Sequence, residues 1–352
     1  GGDAGIDALR PWEFNSPRDY NGHGTHTAST AGGNYGVMPT GPATVFGPIS
    51  GIAPRARIAA YKALWSTVDA STASGQTADL VAAIDQAVAD GVDVINYSIS
   101  GSQTNFADPV EISFLFAADA GVFVAASAGN SGPGMNTIGD PSVATKVVSV
   151  GAYITDDTYL ADYGAQLYED HNLHYFSSRG PREDGGFKPN VVASGAAIST
   201  IPMWQAQGCL AQVCPVGYAL FNGTSMASPQ AAGAAALLVS AAKATGTQYK
   251  PAQLRQAVNS SARFIDGYGA YEQGNGLMNV PAAWALLATQ AKVVDVQARV
   301  AVNTVISGFL ATPNVGTGIY DREGVKAGDS YVRTYTFTRT SGGGGTITYA
   351  VK

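Results

Sequence analysis

The hydrophobic pattern of the chain alternates between short apolar runs and longer segments with apolar residues at helical spacing. Four short runs predict buried strands, namely 57–64, 92–98, 122–126 and 146–151. Two segments, 79–90 and 109–120, carry apolar residues three and four positions apart, and a glycine that would end a helix follows each. Strands and helices that alternate in this way predict an α/β fold with a mostly parallel central sheet and helices on both faces.

A run of small and hydroxylic residues, Asn222–Pro229, leads into an alanine-rich segment that is apolar on almost every face. This pattern predicts a helix that is buried all round. Pro229 is compatible with the helix if Ser225 begins it, because the first turn needs no internal N–H donors. Free N–H groups would then surround the Ser225 hydroxyl, where they could stabilise an oxyanion; an ordinary serine N-cap is the alternative. Two further helices are predicted after this one, near 251–260 and 280–289.

From about residue 292 the pattern changes to an alternation with a period of two, as in Ser330–Thr338. We interpret residues 291–352 as the start of an all-β, fibronectin-III-like sandwich domain, and residues 1–290 as a separate α/β domain. An edge hairpin that belongs to the main domain is the alternative.

Composition narrows the possible functions. Of the 352 residues, 45% are hydrophobic and 13% are charged, which is sufficient for a large core and argues against disorder. The net charge is −6 and Lys and Arg form no block, so we expect neither a nucleic-acid nor a membrane partner. The chain begins with Gly1 and has no leader pattern, so we expect it to be a piece of a longer protein, with a signal peptide and propeptide upstream.

The two cysteines, Cys209 and Cys214, lie five positions apart in a loop-like segment. A small loop closed by a disulfide is the preferred interpretation, and it would fit an oxidising compartment. Two free thiols are the alternative.

Three separated features point to nucleophilic chemistry. His23 lies in a Gly-His-Gly-Thr-His turn, Asn130 follows a predicted strand, and Ser225 begins the predicted buried helix. Acyl transfer by a serine requires a nucleophile, an imidazole that takes its proton, and donors for the oxyanion. The chain offers one candidate for each of these roles.

The blocks Asn21–His26, Ala126–Gly132 and Asn222–Pro229 resemble the three signature blocks of the subtilisin-like serine proteases, peptidase family S8. The resemblance covers residues 16–290 and is closest to the larger secreted bacterial members. It implies that His23 is the general base, that Ser225 is the nucleophile, and that the Asn130 side chain and the Ser225 N–H form the oxyanion hole. It also implies a secreted endopeptidase with polypeptide substrates and no cofactor in the chemistry; structural calcium is possible, but no ligand run can be named. The implied substrate cleft is lined by Ser98, Ile99, Ser100, Gly101, Ser127, Ala128 and Gly129.

The sequence departs from the family at the triad aspartate. Asp3 lies in a turn that resembles the family's Asp-(Ser/Thr)-Gly-Ile pattern, but only two glycines precede it where a buried strand should be. Asp3 also lies only 20 residues before His23. We therefore expect the true aspartate and its strand to lie upstream, with Asp3 as the alternative. Asp19 is another carboxylate near His23, but it matches the loop before the histidine. A second departure is Gln230, where the family usually has histidine.

Other functions stay open. The pairs His23/His26 and His171/His174 are three residues apart, a spacing that a zinc site could use, but no His-Glu-x-x-His motif accompanies them. We expect His26 to be a structural histidine. A non-catalytic scaffold that binds peptides in its cleft, and an exopeptidase that releases tripeptides, are the remaining alternatives.

Overall fold

The computed structural model describes residues 8–101, 108–204, 216–290 and, within 294–348, all residues except 295, 306, 311, 322, 323, 343, 344 and 347. The helices in these ranges are α1 (His23–Gly32), α2 (Thr77–Ala89), α3 (Pro109–Asp119), α4 (Asp156–Tyr163), α5 (Thr224–Thr245), α6 (Pro251–Ser260), α7 (Ala270–Gln273) and α8 (Val280–Ala288), with short 3₁₀ helices at Gly41–Phe46 and Ser307–Phe309. The strands are β1 (Trp65–Ser66), β2 (Ala73–Ser74), β3 (Val94–Tyr97), β4 (Phe123–Ser127), β5 (Val148–Thr155), β6 (His171–Leu173), β7 (Val191–Ser194), β8 (Ala196–Thr200), β9 (Tyr218–Asn222), β10 (Val296–Ala301), β11 (Val315–Gly316) and β12 (Thr336–Arg339).

A five-stranded sheet forms the centre of the first domain, and β5 is its longest strand. The parallel pairs β3–β4, β4–β5 and β5–β7 are in register at Val94↔Phe123, Ala125↔Val148 and Val150↔Val191. Strand β6 pairs antiparallel with the end of β5. The predicted α/β class with a mostly parallel sheet is therefore confirmed.

Strand β4 shows why the sequence of this sheet is almost continuously apolar. Phe123 and Ala125 belong to the core formed with α5, α6 and α8, whereas Val124 and Ala126 belong to the core formed with α2 and α3. Both faces of the sheet are covered, so consecutive side chains are all buried. The carboxyl ends of β3 and β4 lie next to the N-terminus of α5.

Helix α5 is the predicted buried helix, and its first half is buried on nearly every face. Its second half exposes one side, where Leu237 is 38% exposed. The helix begins at Thr224, one residue earlier than predicted, so Pro229 lies inside the helix and not in its first turn. Among the described residues, no helix is long and apolar enough to cross a membrane.

The predicted strand at 57–64 is wrong. These residues have no strand partner in the part of the chain that the structure describes, and the first strand pair, β1–β2, begins at Trp65. Ile58 is 52% exposed. An apolar run becomes a strand only where a neighbouring strand supplies hydrogen-bond partners, and the described residues place none beside this segment.

The C-terminal residues form antiparallel strands, as the period-two pattern predicted. Strand β10 pairs with both β11 and β12. The predicted strand signal at 330–338 overlaps β12 only at its end, because that strand begins at Thr336, and residues 330–335 form no strand. The N–H groups of Thr317 and Gly318 donate to the carbonyl oxygen of Asp184, at 2.9 and 3.1 Å, which attaches this segment to the first domain.

Helices α1 and α5 pack closely at Gly233. A Cβ atom at this position would lie 2.7 Å from the carbonyl oxygen of Ala31 and 2.7 Å from Ile52 Cβ. Neither atom belongs to the far end of a flexible side chain, so the two helices could not keep this separation with a larger residue.

We predict that Gly233→Ala destabilises the protein, although alanine favours a helix. Overpacking costs about 1–3 kcal/mol, which exceeds the gain of about 1 kcal/mol in helix propensity. Denaturant unfolding measures the change. Ser240→Ala, at an exposed position of the same helix, is the control and should be neutral or slightly stabilising. A Gly233→Ala protein as stable as this control would refute the packing argument.

Candidate active site

The site is built at the junction between β9 and α5. Strand β9 ends at Asn222, Gly223 is the N-cap residue, and Ser225 is the second residue of the helix. The N–H group of Ser225 therefore lies in the first turn, where helical N–H groups have no acceptor within the helix. The predicted nucleophile and a free donor thus occur on the same residue.

Pro229 frees the carbonyl oxygen of Ser225. Proline has no N–H to donate to the residue four positions earlier. Instead, Ser98 Oγ donates to the Ser225 carbonyl oxygen at 2.9 Å, and Ser225 Oγ donates to the Ser98 carbonyl oxygen at 3.2 Å. Asn96 supports the contact, because its Nδ2 donates to Ser98 Oγ at 3.2 Å and its Oδ1 accepts from Ser228 Oγ at 2.7 Å. The end of β3 is therefore fixed to the first turns of α5.

Asn130 is fixed by Thr224. Its Oδ1 accepts from both the backbone N–H and the hydroxyl of Thr224, each at 2.9 Å. The Thr224 hydroxyl oxygen in turn accepts from the N–H of Gly129 at 3.1 Å. These bonds to Oδ1 fix the orientation of the whole Asn130 amide group, including Nδ2, although the residue is exposed.

Gly223 leaves open a space between the two predicted oxyanion donors. A Cβ atom at this position would lie 3.3 Å from Asn130 Nδ2, 3.6 Å from the backbone nitrogen of Ser225 and 3.7 Å from Asn130 Oδ1. Both nitrogens therefore border the same small volume, and any larger residue would fill it. Two donor groups beside one space suit an oxygen that gains negative charge.

His23, the predicted base, is the first residue of α1 and is partly buried. Among the described residues its ring makes no hydrogen bond, and the Ser225 hydroxyl points to Ser98 instead. Burial lowers the pKa of His23, and the charge of Asp19 partly offsets this. Asp19 itself is engaged by the helix N-terminus, since its carboxylate accepts from the N–H groups of Gly22 and Thr25 at 2.9 and 2.8 Å. The lowered pKa favours the neutral imidazole, the form that can accept a proton.

His26 is a buried histidine that connects α1 to the strands β8 and β9. Its Nε2 lies 3.1 Å from the carbonyl oxygens of both Ala197 and Ala219, so it carries the hydrogen, and its ring stacks on Phe221 at 4.5 Å. Burial lowers its pKa to about 4. This ring is in no position to act as a second base.

The predicted cleft residues line two neighbouring strand ends, Ser98–Gly101 after β3 and Ser127–Gly129 after β4. Gly139 and Asp140 connect these two walls. The Gly139 N–H donates to the carbonyl oxygen of Ala128 at 3.0 Å, and the Gly101 N–H donates to that of Asp140 at 2.9 Å. Residues 139 and 140 therefore bridge the ends of β3 and β4.

Asp140 of this bridge and Glu111 are two buried acidic residues that the sequence analysis did not single out. Each residue is 5% exposed. Burial, together with the charges of Glu111 and Asp108, raises the pKa of Asp140 to about 7. Burial raises the pKa of Glu111 to about 7 against the opposing charges of Arg182 and Lys188. No local sequence signal marks them, because the charge interaction between them joins segments that lie apart in the sequence.

Several predicted residues fall outside this arrangement. Asp3, Cys209 and Cys214 lie outside the described residues, so the triad aspartate and the disulfide stay predictions. His171 is bonded through Nδ1 to Tyr153 and stands 3.3 Å from Arg263, whereas His174 stacks on Phe176 at 4.6 Å. Within the described ranges no group of three or more His, Cys, Asp or Glu residues could hold a metal ion.

Comparison with known proteins decides the family. A family model described as "Subtilase family" matches residues 7–283. The chain belongs to the subtilase family. A second model, "Ig-like domain in actinomycete serine proteases", matches residues 296–352 of this subtilase. The antiparallel C-terminal strands therefore belong to an Ig-like domain, where the sequence analysis expected a fibronectin-III-like one.

Similar proteins include large subtilases. The chain is 34% identical to pyrolysin of Pyrococcus furiosus over 315 residues, which cover 76% of the chain and 21% of pyrolysin. It is 31% identical to tripeptidyl-peptidase 2 of Drosophila melanogaster, over 86% of the chain and 20% of that protein. It is 43% identical to subtilisin-like protease SBT1.6 of Arabidopsis thaliana over 166 residues, 46% of the chain and 20% of the relative. The chain spans about a fifth of the length of these relatives.

Solved protease structures are similar to the chain in fold. Sphericase is 30% identical with a TM-score of 0.55, over 75% of this subtilase chain and 79% of sphericase. The Prenylagaramide maturation protease PagA is 24% identical with a TM-score of 0.56, over 75% of the chain and 82% of PagA, and shows the fold alone.

We predict that Ser98 and Pro229 are energetically coupled. Ser98→Ala should lower the free energy of unfolding by about 1–2 kcal/mol, because it leaves the Ser225 carbonyl without a partner. In a Pro229→Ala background the loss should shrink by about 1 kcal/mol, since the introduced alanine supplies the missing N–H. Chemical denaturation of the four proteins of this cycle measures the coupling.

The control is Ser113→Ala, which removes another buried hydroxyl, one that donates to Pro109 within α3 at 2.9 Å. Its effect should be the same in the unaltered chain and in the Pro229→Ala background. Equal losses for Ser98→Ala in both backgrounds would contradict the coupling.

Proposed function

We propose that this chain carries the catalytic machinery of a secreted serine endopeptidase that hydrolyses polypeptides. In this proposal Ser225 attacks the scissile carbonyl, His23 takes the serine proton and later protonates the leaving amine, and Asn130 Nδ2 and the Ser225 N–H stabilise the oxyanion. No cofactor takes part in these steps, since the serine, the imidazole and the two N–H donors provide all the groups that acyl transfer requires.

The arrangement around Gly223 carries the proposal. Asn130 is held by two hydrogen bonds from Thr224, and its Nδ2 and the Ser225 nitrogen border one space that only glycine leaves open. Donors that are fixed before the substrate arrives need no reorganisation in the transition state. A scaffold that only binds peptides would have no need for this space.

The extended segment before the scissile bond is proposed to lie between the strand ends Ser98–Gly101 and Ser127–Gly129. Small residues there leave the backbone accessible, so a peptide could add as a strand. The carboxylate that orients His23 is proposed to be Asp3 or an aspartate upstream of it. Asp19 is a poor candidate, because the N-terminus of α1 already uses both of its carboxylate oxygens.

A tripeptidyl exopeptidase is the second candidate, and one observation favours it. The chain is 31% identical to a tripeptidyl-peptidase 2 over 86% of its length. Both candidates use the same chemistry and differ only in whether the cleft accepts internal bonds. Mass spectrometry of the products from an amino-blocked peptide distinguishes them, since only an endopeptidase cleaves a blocked substrate internally.

We predict that a fluorophosphonate probe labels Ser225 in the purified, N-terminally extended protein, and that Ser225→Ala and His23→Ala abolish the labelling. Asp3→Asn tests the position of the triad acid. If Asp3 is that acid, kcat should fall by about 10⁴-fold, as for the aspartate of other serine proteases. An unchanged rate would place the acid elsewhere, and a folded, extended protein without any Ser225 labelling would refute the proposed serine protease.

We predict that Asp19→Asn shifts the acid limb of the kcat/KM profile to lower pH. The base must be neutral, so activity rises with pH through the pKa of His23. Burial lowers this pKa and the charge of Asp19 raises it, so removing that charge should lower the midpoint. Asp85→Asn, at an exposed position on α2, should leave the midpoint unchanged. An upward shift in Asp19→Asn, or no shift at all, would contradict this assignment.

A further inference from the structure

Helix α4 lies in the connection between β5 and β6, and it contacts the end of β9 just before α5. Its N-terminus is capped by Thr155, whose side chain accepts from the Thr158 N–H at 3.0 Å, and Gly164 ends it in a left-handed conformation. At the other end of the helix, the Tyr163 hydroxyl donates to the side-chain oxygen of Asn222. Asn222 precedes Ser225 by only three residues, a span of at most about 11 Å. Helix α4 is therefore attached to the junction between β9 and α5, which carries the nucleophile.

One face of α4 carries two aromatic rings and a carboxylate. Tyr159 and Tyr163 are four residues apart, and their ring centroids are separated by 4.6 Å. Asp162 follows Tyr159 by three residues, so it shares this face. Tyr163 is 40% exposed. Burial raises the pKa of Asp162, and among the described residues its carboxylate has neither a hydrogen-bond donor nor an ion-pair partner.

The connection that contains α4 is also uniformly acidic. Residues 156–170 include five carboxylates and no Lys or Arg. A cation close to this face can lie over the tyrosine rings and approach the Asp162 carboxylate, and both interactions favour arginine or lysine over neutral and acidic side chains.

The position of α4 relative to the cleft decides which part of a substrate it could meet. The strand ends Ser98–Gly101 and Ser127–Gly129 contact the start of α5 from the side of β3 and β4, where the acyl segment is proposed to lie. Helix α4 reaches the start of α5 from another side, through Asn222 at the end of β9. Within the proposed function, we assign this side to the residues that follow the scissile bond.

We propose that Tyr159, Asp162 and Tyr163 form a subsite for an arginine or lysine at the first or second position after the scissile bond. The inference rests on the proposed function and adds a substrate class to it. The proposed subsite is connected to the junction between β9 and α5 by the Tyr163–Asn222 hydrogen bond.

The test uses the full chain and internally quenched peptides with one acyl segment, in which the first or second residue after the bond is Arg, Leu or Glu. An anilide with the same acyl segment and no residue after the bond serves as the reference substrate. We expect kcat/KM for the Arg peptide to exceed that for the Glu peptide by about fivefold or more at low salt, and the ratio to fall as salt is added.

Two variants locate the preference. Asp162→Asn, which keeps the shape of the side chain, and Tyr159→Ala, which leaves the Tyr163–Asn222 hydrogen bond in place, should each reduce the Arg-to-Glu ratio towards one and change anilide hydrolysis less than twofold. The control is Tyr168→Ala, in the same connection with a side chain that is 99% exposed, and it should keep the ratio.

The outcomes distinguish a failure of the proposed subsite from a failure of the proposed function. An unchanged ratio in Asp162→Asn, or a preference for Leu that is independent of salt, would overturn the subsite. Equal losses on peptides and anilide would assign α4 a structural role and overturn it as well. If the anilide is not hydrolysed at all by the folded protein, the proposed function fails before the subsite is reached.

Discussion

Pro229 lacks an N–H, so the carbonyl oxygen of Ser225 has no partner within α5. A proline inside a helix costs about 3 kcal/mol or more, part of it from this lost hydrogen bond. Here the Ser98 hydroxyl takes the place of the missing donor at 2.9 Å. The defect in the helix is thereby converted into a bond between the helix and the sheet. The position of Ser225 against the cleft wall follows from that bond, without any contribution from a flexible loop.

The small residues of α5 make this junction possible. Alanine and glycine let the helix lie against the sheet and against α1, where Gly233 brings the helix within contact of the Ala31 backbone. A helix held in this way presents Thr224 and Ser225 at fixed positions. Thr224 then fixes Asn130 across the junction with β4. Each donor of the candidate site is therefore positioned by packing and hydrogen bonds that exist before any substrate binds.

The sequence predicted those elements whose signal is contained within the element. Helix α6 begins and ends where predicted, and β4 differs from its prediction by one residue, because apolar pattern, glycine stops and capping residues act locally. The segment 57–64 shows the opposite case. Its apolar run resembles a strand, but a strand also requires a neighbour, which no local pattern can report.

Helix α4 was overlooked although its signals are present in the sequence. Thr155 is a favourable N-cap residue, two aspartates follow it, and Gly164 adopts the left-handed conformation that ends many helices. The roles of Pro229 and of the pair Asp140 and Glu111 were beyond local signals, because each depends on a partner far away in sequence. The three blocks at His23, Asn130 and Ser225 were predictable since each carries its own turn or helix start.

Burial has opposite effects on the acids and bases of this site, and both effects remove charge. It lowers the pKa of His23, which favours the neutral imidazole, and it raises the pKa of Asp140, next to the ends of β3 and β4, to about 7. Both shifts reduce the charge next to the strand ends where the acyl segment is proposed to lie. The connection that contains α4 carries five carboxylates and no Lys or Arg. In the proposed cleft the two sides of the scissile bond therefore differ in their density of charged groups, so any preference for charged residues should arise mainly on the side of α4.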